Sequence, residues 1–163
     1  MGELVKFVSS HEVGHTLGLP HNMGSSSAYP VEKLRDAEFT QKYGTAPSIM
    51  DYARFNYVAQ PGDEGVALMP NIGVYDKHAI KWGYRPILDA KTPQDEKKTL
   101  DKWILDHADD PMYRFGQYQG IDPSAQTEDL GDDAIKASDY GIKNLKRIVP
   151  NLIQWTSKDG ETY

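Results

Sequence analysis

The sequence predicts a mainly α-helical fold, and three observations lead to this prediction. The stretch TPQDEKKTLDKWILDHADD begins with Thr92 as a helix cap and Pro93 in the first helical position. The stretch DDAIKASDYGIKNLKRIVPNLIQWTS opens with Asp132 or Asp133 as a cap and repeats apolar residues at helical spacing until Pro150. Residues 53–73 contain two prolines and three glycines, which disfavours regular structure there. Strands are therefore expected to be few.

Two further helices are predicted in the first third of the chain. The first spans about Leu4 to Leu17, because Gly18 follows where helices commonly end and Pro20 prevents continuation. Its apolar face is expected to comprise Leu4, Val5, Phe7 and Val8. The second is the stretch PVEKLRDAEFTQKYG, with Pro30 near its first turn and Gly44 at its end.

The stretch HEVGHTLGLPHN contains three of the five histidines of the chain. His11 and His15 are four residues apart, so on a helix their rings project from the same face and can share one zinc ion. The sharp turn after Gly18 allows His21 to supply a third ligand, which leaves a fourth position for water. In the HExxH motif, a glutamate placed like Glu12 acts as the general base on zinc-bound water. The spacing therefore predicts a catalytic zinc site.

Downstream, the stretch SIMDY places Met50 and Tyr52 after the third histidine. Together, HExxHxxGxxH and this methionine resemble the metzincin clan of zinc proteases. The resemblance implies that Met50 packs beneath the three imidazoles without binding zinc. It also implies that Tyr52 is a loose fifth ligand or a hydrogen-bond donor to the oxyanion, although ordinary core packing remains open for Tyr52.

A third fragment, YDKHAIKWGY, is similar to the helix that follows the methionine turn in serralysin-like and matrix-type metzincins. Asp76 is expected to cap this helix, while Ala79 and Ile80 face a core. His78 lies on it and is interpreted as a residue that binds no metal, because three histidine ligands are already present.

The whole chain resembles one metzincin family of large, secreted or envelope-attached bacterial zinc proteases. The stretches that carry this resemblance are SSHEVGHTLGLPHNMGSS, PSIMDYARFNYVAQPGD and DLGDDAIKASDYGIKNLKRIVPNL. It implies a metalloendopeptidase that hydrolyses polypeptides with Zn2+, and a secreted or periplasmic location. A zinc-organised structural or interaction module that cleaves nothing remains the alternative. The resemblance also places Arg54 and Phe55 in the wall of the pocket beside the scissile bond.

The chain is predicted to be one domain fragment, with the zinc helix through the methionine turn in residues 1–52 and a mostly helical part in residues 53–163. In metzincins a twisted sheet precedes the zinc helix, and its edge strand holds the substrate. Only ten residues precede His11, so this sheet is expected to be missing and to belong to the remainder of a larger chain.

Composition excludes several functions. The net charge is −6 without a dense basic run, which does not suggest nucleic acid or anionic membranes as partners. Cysteine is absent, so thiolate chemistry and disulfides are impossible. No apolar run approaches the length of a membrane span.

Three further polar features are present in the sequence. The aspartates of DLGDD, Asp129, Asp132 and Asp133, suggest calcium or helix capping, and the spacing favours capping. His107 is expected to complement a helix dipole rather than bind metal. Asn22 is expected to make a hydrogen bond that supports the neighbouring ligand.

Overall fold

The computed structural model describes residues 1–53, 55–117 and 120–161, and within these ranges it contains α-helices and 3-10 turns but no β-strand. The prediction of a mainly α-helical fold is thus confirmed. The α-helices are α1 (Gly2–Thr16), α2 (Ala37–Tyr43), α3 (Val74–Tyr84), α4 (Pro93–Leu105), α5 (Ala134–Ile148) and α6 (Leu152–Thr156). Shorter 3-10 turns cover Ser26–Ala28, Val31–Arg35, Pro111–Tyr113 and Val149–Asn151.

Helix α1 begins two residues before the predicted start and ends at Thr16, one residue before the predicted end. Gly18 takes a left-handed conformation with φ +82°, and the amides of Gly18 and Leu19 donate to the carbonyls of His15 and Gly14. The chain therefore reverses immediately after the helix. Of the four apolar residues predicted to form one face, only Phe7 is buried; the others, about half exposed, are Leu4, Val5 and Val8.

The prediction of a single helix after Pro30 was wrong, because the chain forms a 3-10 turn, Val31–Arg35, and then α2. Asp36 separates the two with an extended backbone, and its carboxylate accepts a hydrogen bond from the amide of Phe39 (3.0 Å). An aspartate that caps a helix cannot also continue one, so the interruption follows from the side chain of Asp36. Gly44, with φ +71°, ends α2 as predicted.

The cap of α3 also differs from the prediction, since the N-cap residue is Gly73 and Asp76 is the third residue of the helix. The Asp76 carboxylate reaches back to accept a hydrogen bond from the amide of Gly73 (2.7 Å). A Cβ atom on residue 73 would lie 1.7 Å from the carbonyl oxygen of Pro47, so this close approach requires glycine. A tertiary contact therefore fixes the N-cap residue of α3.

The predictions for the C-terminal helices are confirmed. Thr92 caps α4 with Pro93 in the first turn, and Asp133 caps α5 through the amide of Lys136 (3.0 Å). The helical path changes to a 3-10 turn at Val149–Asn151, which contains Pro150, before α6 begins.

The other two aspartates of DLGDD are not caps. The Asp132 carboxylate accepts a hydrogen bond from the amide of Val31 (3.0 Å), and the Asp129 carboxylate accepts one from the hydroxyl of Ser26 (3.2 Å). Both hydrogen bonds link the segment before α5 to the first third of the chain.

Two buried clusters hold the fold together. The larger joins the 3-10 turn before α2, the segment after the methionine turn and α5, and consists of Tyr29, Val31, Leu34, Ala46, Ala53, Val58, Leu130 and Ala137. The smaller packs α1 onto the methionine turn through Phe7, Ile49 and Met50, with Leu19 and Met69 at its edge. The smaller cluster thus positions the helix that carries His11 and His15.

None of the helices in the described part of the chain is both long enough and apolar enough to cross a membrane.

Candidate metal centre

Three histidines meet at the C-terminal end of α1. His11 and His15 lie one turn apart on the helix, and the reversal after Gly18 brings His21 back against them. One ring nitrogen of each histidine lies within 4.8 Å of the others. The Nε2 atoms of His15 and His21 are 3.1 Å apart. The predicted ligand set is therefore assembled by the fold.

Backbone carbonyls orient two of the imidazoles. The Nδ1 atom of His11 donates to the carbonyl of Ile49 (2.8 Å), and the Nδ1 atom of His15 donates to the carbonyl of Leu19 (2.9 Å). Because a carbonyl oxygen can only accept, each Nδ1 carries the proton and each Nε2 keeps its lone pair. This is the arrangement in which a histidine binds a metal through Nε2.

The electrostatics of the cluster also favour a neutral imidazole at His21. Burial lowers the pKa of His21, and the neighbouring His15 and His11 lower it further. A proton on one ring is disfavoured by its neighbours, so His21 stays available as a ligand to lower pH than a free imidazole does.

These residues fit a zinc ion. Tetrahedral coordination with Zn–N bonds of about 2.0–2.1 Å separates two ligand nitrogens by roughly 3.4 Å. The Nε2 atoms of His15 and His21 are 3.1 Å apart, which is close to this spacing. Two nitrogen lone pairs repel each other at this distance unless they share a cation or a proton. Among the described residues, this is the one group of three or more metal-binding side chains, and His78 and His107 do not join it.

His78 and His107 instead form an aromatic cluster with Tyr113. His107 stacks on Tyr113 with ring centroids 3.8 Å apart, and His78 lies edge-on to both rings at 5.2 Å. Packing thus accounts for the positions of both histidines.

Glu12 and Tyr52 lie beside the histidines. Glu12 follows His11 on α1 and is exposed. The ring centroid of Tyr52 is 4.6 Å from that of His21 and 5.4 Å from that of His11. The fold therefore brings the predicted base and the predicted oxyanion donor to the ligand cluster.

A cavity of about 410 Å³ opens next to these side chains. His11, Glu12, Tyr52 and Phe55 are among the residues that line it. The remaining lining is apolar and consists of Leu4, Phe7, Val8 and Met69. Sequence reasoning named only Phe55 and Arg54 for this pocket, and Arg54 lies outside the described residues.

Met50 is fully buried against α1. A Cβ atom on Gly14 would lie 2.3 Å from the Met50 sulfur, so the helix and the turn are in direct contact. The carbonyl of Met50 accepts a hydrogen bond from the amide of Asn22 (3.0 Å), the residue after His21. Met50 therefore contacts both the ligand helix and the ligand loop.

Asp76 is a positioning residue that sequence reasoning missed. Its buried carboxylate accepts hydrogen bonds from the Ser48 hydroxyl (2.6 Å) and the Ile49 amide (2.8 Å), besides that of Gly73. Since the carbonyl of Ile49 holds His11, Asp76 supports a ligand through the backbone of the turn. Burial raises the pKa of Asp76, although its hydrogen bonds oppose the shift. The sequence indicated only a helix cap at Asp76.

The side chain of Asn22 is hydrogen-bonded to a distant segment of the chain. Its side-chain amide donates to the carbonyl of Arg114 (2.9 Å), and its side-chain oxygen accepts from the amide of Gly116 (2.9 Å). Asn22 thus anchors the backbone beside His21 to a distant segment rather than orienting an imidazole.

The fold brings together the three histidines of the HExxHxxGxxH motif in an arrangement that could hold a metal ion. The model of the Met-zincin family matches residues 1–163, so the chain belongs to the Met-zincin family. No curated protein and no solved structure matches it.

Proposed function

We propose that the protein is a zinc metallopeptidase whose metal ligands are His11, His15 and His21. The observation that carries the proposal is the convergence of the ligand nitrogens of these three histidines, with Nδ1 of His11 and His15 held by backbone carbonyls. Membership of the Met-zincin family supports it. Bound zinc would lower the pKa of its water to roughly 7 and polarise the carbonyl of the substrate.

The remaining side chains have separate roles in this proposal. Glu12 accepts a proton from the attacking water and returns it to the amine that leaves. The Tyr52 hydroxyl donates a hydrogen bond to the oxyanion that develops on the former carbonyl oxygen. Met50 binds no metal and keeps α1 and the loop of His21 in register.

The substrate in this proposal is a polypeptide with a large apolar residue next to the scissile bond. The cavity beside Glu12 is lined by Phe7, Val8, Phe55 and Met69, which bury an apolar side chain favourably. We propose that Arg54, the neighbour of Phe55 in the sequence, modulates which substrate side chain is preferred next to the scissile bond. We also propose that this chain works together with the remainder of a longer protein, and that this protein is secreted or periplasmic.

The test combines zinc stoichiometry with cleavage of an unfolded protein. We expect one zinc per chain in the parent protein, and the Glu12→Gln variant should retain zinc and lose cleavage by at least about a hundredfold. Glu38→Gln, a matched change at an exposed glutamate of α2, should leave both unchanged.

The other outcomes are also decisive. A chain that binds one zinc but cleaves nothing, even when extended upstream, would instead be a zinc-organised binding module. A chain that binds no zinc would contradict the proposal altogether.

A further inference from the structure

Two carboxylates from distant parts of the chain contact the same serine beside the methionine turn. The Oδ2 atom of Asp51 accepts a hydrogen bond from the amide of Ser26 (2.6 Å), and the Oδ1 atom of Asp129 accepts one from the hydroxyl of Ser26 (3.2 Å). Asp51 follows Met50 in the turn, whereas Asp129 belongs to the stretch DLGDD, in which Asp133 rather than Asp129 caps α5. The fold therefore creates an acidic pair, which we call the Asp51–Asp129 pair.

Asp51 is fully buried, and its carboxylate is only partly satisfied. Its Oδ1 atom has no hydrogen-bond partner among the described residues. The hydroxyl of Ser25, the residue before Ser26, is also buried, and in the described part of the chain it too lacks a hydrogen-bond partner. A buried acceptor that is left unsatisfied costs free energy, and a buried negative charge costs more unless a positive charge is close. The free oxygen of Asp51 therefore indicates a ligand that carries positive charge.

The described basic side chains do not supply this charge. None of the lysines and arginines in the described ranges forms an ion pair with Asp51 or Asp129. Burial raises the pKa of Asp51 well above its usual range, and the negative charge of Asp129 adds to the rise, while hydrogen bonds from Ser26 oppose it. Burial also raises the pKa of Asp129. The pair is therefore stable only with a proton or a cation beside it.

We propose that the Asp51–Asp129 pair binds one calcium ion. The free Oδ1 atom of Asp51 and the carboxylate of Asp129 are its charged ligands, and the hydroxyl oxygens of Ser25 and Ser26 are candidate neutral ligands. All four groups offer oxygen, which calcium prefers, and its two positive charges balance the two carboxylates. Magnesium gives up its water reluctantly, and zinc more often takes the nitrogen of histidine or the sulfur of cysteine. Calcium therefore fits this site better than either ion.

The calcium ion would connect three segments around the candidate metal centre. Asp51 precedes Tyr52, whose ring centroid lies 4.6 Å from that of His21. Ser26 belongs to the loop after His21, and Asp129 belongs to the segment before α5. The ion would thus hold the methionine turn against both of these segments. Calcium binding at the Asp51–Asp129 pair requires neither zinc nor peptidase activity.

Isothermal titration calorimetry of the purified chain with calcium chloride tests the proposal. We expect one calcium ion per chain with a dissociation constant between about 10 µM and 1 mM, and a higher melting temperature in calcium. Zinc should leave this result unchanged, because the histidine cluster offers nitrogen ligands, whereas calcium takes oxygen ligands. A chain that binds no calcium up to about 10 mM would overturn the proposal and indicate that the pair holds a proton instead.

The same titration with magnesium chloride checks the choice of ion. We expect magnesium to bind at least about tenfold more weakly than calcium, because it keeps its water in an irregular site. An equal affinity for the two ions would overturn the assignment to calcium.

Two variants test whether the Asp51–Asp129 pair holds the ion. Asp51→Asn and Asp129→Asn should each weaken calcium binding by at least about tenfold, since each removes one of the two charged ligands. Asp129 is only partly buried, so its variant remains informative if Asp51→Asn does not fold. Asp133→Asn is the matched control from the same acidic stretch, because asparagine caps a helix as well as aspartate does. This control should bind calcium as the unchanged protein does.

Circular dichroism checks that each variant is folded. Calcium binding that is unchanged in both Asp51→Asn and Asp129→Asn, or that falls equally in Asp133→Asn, would overturn the proposal.

Discussion

A Cβ atom on Gly14 would lie 2.3 Å from the sulfur of Met50, so the helix that carries His11 and His15 and the turn that carries Met50 meet where only glycine fits. Gly14 occupies the position immediately before His15. Met50 has no exposed surface and little room to withdraw. Glycine at position 14 is therefore a packing requirement of the candidate metal centre.

Gly14→Ala should destabilise the protein by up to about 2 kcal/mol, because overpacking costs about 1–3 kcal/mol and alanine returns only about 1 kcal/mol over glycine in a helix. Urea unfolding measures the change. Gly83→Ala in α3 is the matched control, since a Cβ atom there meets nothing within 4 Å. This control should be neutral or slightly stabilising, and equal losses at the two glycines would contradict the packing argument.

Asp76→Asn should weaken zinc binding and lower stability together. An asparagine replaces one acceptor oxygen by an NH2 group that faces the donors Ser48, Ile49 or Gly73. We expect a loss of about 2 kcal/mol or more in unfolding free energy and roughly tenfold in zinc affinity, since Ile49 holds His11. Competition with a zinc chelator measures the affinity.

Asp95→Asn provides the control for Asp76→Asn. Asp95 also accepts a hydrogen bond from its own N-cap residue, Thr92 (3.0 Å), but it lies at the exposed start of α4. Its replacement should cost stability and leave zinc affinity unchanged. A similar fall in zinc affinity in both variants would exclude a specific role for Asp76.

Zinc should raise the melting temperature, and the effect should fade as pH falls below about 6. Protons compete with the metal for the imidazoles, while the lowered pKa of His21 delays this competition. His21→Ala should remove most of the zinc-dependent increase, whereas His78→Ala should retain it. Thermal denaturation of each variant with zinc or with a chelator, at several pH values, measures this zinc-dependent increase in melting temperature.

His78 should make stability depend on pH in a defined direction. Burial lowers its pKa below the usual 6.5, and the nearby His107 adds to the shift. The unfolded chain therefore binds a proton at higher pH than the folded chain, so stability is lost as pH falls from about 6.5 through the folded pKa. His78→Gln should flatten this part of the curve of melting temperature against pH. An unchanged slope would contradict the assignment.

The Arg35–Asp63 pair should be a stronger contact than the surface ion pairs. Two nitrogens of Arg35 donate to the two oxygens of Asp63 (2.6 and 2.9 Å), and Arg35 also bonds the hydroxyl of Tyr140 (3.1 Å). Arg35→Lys should cost about 1–3 kcal/mol, because lysine cannot reproduce the two-point contact. Lys33→Met removes the exposed pair with Asp36 and should cost less than about 1 kcal/mol. Urea unfolding of the two variants compares them.

The sequence revealed the candidate metal centre because its signal is local. His11, Glu12, His15, Gly18 and His21 lie within one helix and the turn after it, where backbone geometry alone relates residue spacing to position in space. The caps Thr92 and Asp133 were predictable for the same reason, since each hydrogen bond spans three residues. In contrast, the sequence did not predict that Asp36 ends the first turn and caps α2, because the pattern around it also fits one longer helix.

By itself, the sequence predicted the mainly helical fold, the three candidate metal ligands and the candidate base beside them. Only the tertiary structure decided what orients these groups. Ile49 holds His11 across 38 residues, and Asp76 holds Ile49 across 27 residues. Such contacts depend on how separate segments pack, and packing is set by the shape and burial of many residues at once rather than by spacing along the chain. The same reason explains why the start of α3 at Gly73 and the lining of the cavity beside Glu12 became visible only in the folded chain.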